Sequence, residues 1–196
     1  MPMFAARFAL ALMLATSLFA VAQSTDVEPK ELRREQSLRN AKLSPQRREA
    51  LVRAIVKQIR NETGEPNIEG LEESALDTSV ALIDLDGDKK PEVIAQAMRE
   101  EICSPTGNCS FWVFREDRGE YKPILKGTAQ LFRIYNSRTN RFRDIGLGRH
   151  GSAYLGEWRL YRFLGGRYTA MKCWEEIYGD SESDMPYPKP KVEPCQ

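Results

Sequence analysis

Three carboxylates stand two residues apart in Asp84-Leu85-Asp86-Gly87-Asp88, and Glu92 follows after Lys89, Lys90 and Pro91. Hard divalent cations take six or more oxygen ligands, and a tight acidic loop offers several at once. Gly87 lets the chain bend sharply between the second and third of these aspartates. A second reading needs no ion: aspartate side chains accept hydrogen bonds from nearby backbone N–H groups and so stabilise a turn. The apolar runs VALI before the loop and VIAQAM after it read as strands. Under either reading the loop closes a β-hairpin.

The D-x-D-G-D-x-x-x-E spacing resembles the acidic loop of FG-GAP or VCBS repeats in integrin-type propellers, where a strand–loop–strand hairpin holds calcium. Taken position by position, the resemblance implies Asp84, Asp86, Asp88, the Lys90 carbonyl and Glu92 as ligands of a Ca²⁺ ion. It covers this one loop and implies no propeller. An EF-hand does not fit, because Lys89 stands where that loop needs Gly and Ala95 where it needs Glu.

Catalytic groups are sparse elsewhere. His150 is the single histidine, which leaves no histidine set for a catalytic zinc. Ser152 lies two residues on, but no G-x-S-x-G elbow surrounds it, and no carboxylate is placed by sequence to orient the imidazole. Glu100-Glu101 and Glu175-Glu176 are adjacent pairs, and neighbours on a strand point to opposite faces. The residues therefore favour a non-catalytic binding or structural protein. The alternative is a periplasmic or extracellular hydrolase acting on cell-wall or glycan substrates, with carboxylates gathered from distant parts of the chain.

Charge is segregated along the chain although the total is near zero, at 29 Lys/Arg against 28 Asp/Glu. Residues 61–102 are strongly acidic, whereas residues 126–172 are strongly basic and mostly arginine. Guanidinium groups suit bidentate carboxylate or phosphate contacts. Within the basic half, GLGRHGSAYLG reads as an exposed glycine-rich recognition loop. Arg141, Arg143, Arg149, His150, Ser152 and Tyr154 form the candidate binding surface, for an anionic envelope polymer or an acidic protein. The competing expectation places acidic and basic strands side by side, where they neutralise each other. An overall balance this close to neutral does not favour nucleic acid.

The N-terminus carries Arg7, an uncharged apolar run from Phe8 to Ala22, and Ala20-Val21-Ala22 before Gln23. That layout predicts a signal peptide over residues 1–22, cleaved after Ala22, and export to the periplasm or beyond the cell. The run falls short of the roughly 20 residues a membrane span needs, so no integral span is expected. Cys103, Cys109, Cys173 and Cys195 then read as two disulfides. The SPTGN turn brings Cys103 to Cys109, and the remaining pair ties the tail to a strand.

The elements that position these residues follow from periodicity. Residues 23–43 are polar and read as a flexible leader. Ser44-Pro45 starts a helix over 44–62, with Leu51, Val52, Ile55, Val56 and Ile59 on one stripe and Gly64 beyond its end. Strands are predicted at 79–84, 91–98, 109–116, 120–126, 129–136, 143–147, 157–164 and 167–175, and Pro186, Pro188, Pro190 and Pro194 mark an extended tail. The expected architecture is α+β: one domain over 44–178, with an N-terminal helix packed on an antiparallel β-meander, curled or barrel-like. The β-rich part covers 79–176, and residues 179–196 form a Pro-rich tail tethered by Cys195.

Overall fold

The computed structural model describes residues 30–31, 36–64, 69–99, 102–180, 182 and 185–195. The expected signal peptide and the first part of the leader lie outside them. Among the described residues, helices α1 (Pro45–Thr63) and α2 (Leu71–Asp77) precede nine strands. These are β1 (Ser79–Ile83), β2 (Glu92–Gln96), β3 (Cys109–Asp117), β4 (Glu120–Ala129), β5 (Leu131–Thr139), β6 (Phe142–Ser152), β7 (Leu155–Leu164), β8 (Arg167–Asp180) and β9 (Met185–Pro194). They form two antiparallel sheets of consecutive strands, β1–β4 and β5–β9, one of them curled into a half-barrel. Both disulfides, Cys103–Cys109 and Cys173–Cys195, are present.

The capping chemistry of α1 is the one its sequence calls for. Ser44 Oγ accepts the Arg47 N–H, Pro45 occupies the first helical position, and Gly64 closes the end at φ 72°. Leu51, Ile55 and Ile59 pack with Trp112, Phe114 and Val93 on one face of the first sheet. The opposite face of that sheet presents Phe111, Val113 and Ile94 to Phe132, Ile145 and Leu147 of the second. The molecule is thus layered helix, sheet, sheet. The continuous run SFWVF in β3 reflects burial from both sides, where a half-exposed strand would alternate.

Several expectations need correction. The helix is not N-terminal, because an ordered stretch precedes it. The Lys30 backbone exchanges two hydrogen bonds with Phe132, at 2.7 and 2.9 Å, and Leu38 is 0 % exposed within the helical layer. In its described residues, therefore, the leader packs against the domain. Apolar residues scattered in a polar stretch show no period, yet Leu38, with Ala41 and Leu43 packed beside it, anchors the stretch. Helix α2 escaped periodicity analysis because it has only seven residues, with Leu71, Ser74 and Ala75 turned inward. The tail is strand β9, paired along β8 from Trp174↔Pro194 to Asp180↔Met185. Its four prolines fall on alternate positions of an edge strand, where a missing N–H is tolerated, and the ladder shifts register between Ile177 and Gly179.

The expected glycine-rich loop is also strand, since β6 and β7 pair from Ile145↔Tyr161 to Ser152↔Leu155. Its glycines answer to aromatic packing. A Cβ at Gly146 would stand 3.0 Å from the Tyr135 hydroxyl, and one at Gly148 would stand 2.8 Å from the Trp158 ring.

Candidate functional site

The β1–β2 loop draws Asp84, Asp86 and Asp88 together, with one carboxylate oxygen from each within 4.8 Å of the others. The loop's own amides hold them there. Asp84 accepts from Gly87 N–H at 2.7 Å and from Lys89 N–H at 3.1 Å. Asp86 accepts from Asp88 N–H at 3.0 Å, and Asp88 from Lys90 N–H at 2.7 Å. Positive φ at Gly87 (82°) and Lys89 (68°) supplies the bend. These contacts are the turn chemistry expected of aspartates, and they leave each carboxylate further lone pairs for a cation.

Glu92 does not join the three. It is 2 % exposed, and its carboxylate accepts the Leu85 N–H at 2.9 Å beneath the loop. Burial, together with the charges of Asp86 and Asp88, pushes its pKa up to about 6, against the pull of the Leu85 amide. The Lys89 and Lys90 ammonium groups make no ion pair among the described residues, while Arg115 approaches Asp86 at 3.4 Å.

The loop is also a junction between the sheets. Leu85 is 0 % exposed, in the core formed with Phe142, Phe163 and Tyr168. Its carbonyl accepts the Arg143 N–H at 2.8 Å and Arg138 Nη1 at 2.9 Å. Arg115 and Arg138 are both brought against the acidic loop in this way, the first at Asp86 and the second at the Leu85 carbonyl.

The six residues of the expected binding surface do not form one patch. Arg141 sits in the β5–β6 turn at φ 76°, and its carbonyl accepts Arg138 Nη1. Arg143 is engaged by the Tyr135 carbonyl at 3.0 Å and by Asn136 Oδ1 at 2.8 Å. Arg149 lies six residues further along β6, roughly 20 Å away at strand rise, and stands 3.7 Å from Glu157. His150 follows on the alternate face, and a register shift separates it from Ser152. Asn108 clamps the His150 backbone, accepting its N–H at 2.7 Å and donating to its carbonyl at 2.8 Å. Ser152 Oγ accepts the Tyr154 N–H at 3.3 Å, and the His150 imidazole makes no hydrogen bond among the described residues. Tyr154 itself packs beside Gly179, where a Cβ would come within 2.5 Å of its ring.

Two polar groupings were not anticipated from sequence. Arg133 reaches across the second sheet to Glu176, and Glu62 at the end of α1 takes Ser110 Oγ at 2.6 Å and Trp112 Nε1 at 2.7 Å. Their sequence separations of 43 and 48–50 residues leave no local signal. No protein-family model, curated protein or solved structure matches the chain.

Proposed function

We propose that this is an exported, non-catalytic binding domain whose acidic hairpin is stabilised by a calcium ion. The observation that carries the reading is the convergence of Asp84, Asp86 and Asp88 oxygens within 4.8 Å of one another. Three preoriented carboxylates repel one another, and a hard divalent cation relieves that repulsion while using oxygens already in place. The Lys90 carbonyl and water complete the ligand set under this reading. Glu92 acts from beneath, holding the Leu85 amide and adding negative charge. Calcium would then tighten the junction through which Leu85 joins the two sheets. Export is supported by the two disulfides, and no helix among the described residues is long and apolar enough to cross a membrane. The partner is anionic, met by the arginine-rich second sheet.

Thermal unfolding of the chain in EDTA, in millimolar Mg²⁺ and in millimolar Ca²⁺ tests the metal. A ligand at 100 times its Kd adds about 2.7 kcal/mol, or several degrees in Tm for a domain of this size. The expected result is a calcium-specific rise that Asp86→Asn abolishes. Equal melting in all three buffers overturns the proposal and leaves a hydrogen-bonded turn.

A further inference from the structure

Where β4 passes over β6 and β7, the two sheets leave an open cleft of about 560 Å³. The strands approach closely here: a Cβ at Gly127 would stand 2.9 Å from Leu147 Cδ1 and 3.6 Å from the Tyr161 hydroxyl, so the Leu147 side chain would have to shift to admit one. The volume lies within the range of small-molecule sites and suits one ring-sized ligand.

The lining is unbalanced in charge. Lys126, Arg149 and Arg159 face it from three strands, against the single carboxylate of Glu62. Glu62 is held in place by Ser110 and Trp112, neutral donors that leave its charge unchanged. The two arginines share one counter-ion, Glu157, at 3.7 Å from Arg149 and 2.8 Å from Arg159. Lys126 has no ion-pair or hydrogen-bond partner among the described residues. Thr128 and Tyr161 add hydroxyl groups. Burial raises the Tyr161 phenol above its ordinary range, so it remains protonated and able to donate. A concave surface with surplus cations concentrates anions, and guanidinium groups bind carboxylate and phosphate in a fixed planar geometry.

We propose that this cleft binds a small organic anion through a carboxylate or phosphate held by Lys126, Arg149 and Arg159, with Tyr161 donating to it. The inference deepens the binding reading above by naming a ligand class and a place, and it does not depend on calcium.

Calorimetric titration of the chain, stripped of metal and then freed of chelator, with glucose 6-phosphate, glucuronate and glucose tests it at constant ionic strength. The expected result is saturable binding of at least one of the two anions and none of glucose. Binding of only the phosphate or only the carboxylate supports the site and identifies the group. Lys126→Gln and Arg159→Gln should each weaken binding tenfold or more while their Tm stays near that of the parent. Absence of binding by both anions, or unchanged affinity in both variants, overturns the proposal. Because the chain is metal-free throughout, failure here leaves the calcium reading untouched, and failure of the calcium melt leaves this result standing.

Discussion

Arg133 stands over Trp158, with 3.7 Å between its guanidinium carbon and the ring centroid. The same guanidinium donates to Glu176 twice, at 2.8 and 3.2 Å. Glu176 also receives Trp174 Nε1 at 3.3 Å and the Tyr178 hydroxyl at 2.7 Å. A planar cation between an aromatic face and a carboxylate is a geometry that lysine cannot reproduce. The pair is secluded, its side chains being 16 % and 9 % exposed.

Removing one partner from such a pair strands a charge. Glu176→Leu should therefore destabilise the protein by about 3 kcal/mol, in the range observed for broken buried ion pairs. The double variant Arg133→Met with Glu176→Leu should recover much of that loss, since apolar replacements of similar size avoid the desolvation cost. Urea unfolding of the two single variants and the double variant supplies the cycle. Strictly additive losses would show that the two residues are not coupled.

The same network sets an acid limit. Burial alone would raise the Glu176 carboxyl, but hydrogen bonds from Arg133, Tyr178 and Trp174 outweigh it and hold its pKa below the ordinary 4.5. A carboxylate with a depressed folded-state pKa contributes stability that is complete above its unfolded value. That stability is lost as pH falls through the folded one. Stability should therefore decline below pH 4.5, and the slope there should be shallower in Glu176→Gln. Melting curves between pH 6 and pH 3 would show this, and identical slopes would remove Glu176 from the account.

Gly148 should not tolerate even a methyl group. The added Cβ would meet three Trp158 ring atoms at 2.8–2.9 Å, and overpacking of that kind costs about 1–3 kcal/mol. Gly148→Ala should lower the urea midpoint and alter the near-UV signal of the tryptophans. A neutral outcome would mean that the Trp158 ring can shift within the sheet.

Leu38 tests whether the polar leader belongs to the domain. Leu38→Ala should cost about 2–5 kcal/mol, as for other fully buried leucines. Substitution of exposed Arg39, whose ion pairs to Glu73 and Asp77 lie in solvent, should cost under about 1 kcal/mol. Equal small effects would mean that the leader is only loosely held.

The sequence was most legible where local chemistry suffices. Ser44-Pro45 and Gly64 bound the helix within one residue of its observed ends. Eight of the nine strands were anticipated, because apolar alternation and turn glycines such as Gly119 and Gly165 are local signals. Legibility failed where one residue type has two physical uses. Prolines at alternate positions suit an extended tail or an edge strand, and glycines suit a loop or a strand beneath an aromatic ring. The partner that decides between these uses lies on another strand.

The candidate sites divide in the same way. Asp84, Asp86 and Asp88 lie within five consecutive residues, so their convergence was decided by the sequence itself through spacing and the bend at Gly87. The Arg133–Glu176 pair and the Lys126–Arg149–Arg159 cleft were decided by tertiary structure alone, whereas Glu92 turns to the Leu85 amide within its own hairpin. Short-range order follows from backbone geometry and neighbouring side chains, which the chain carries wherever it folds. Contacts between distant strands depend on how two sheets pack, and that is settled by the burial of Phe111, Phe132 and Ile145, not by any residue in the sites themselves.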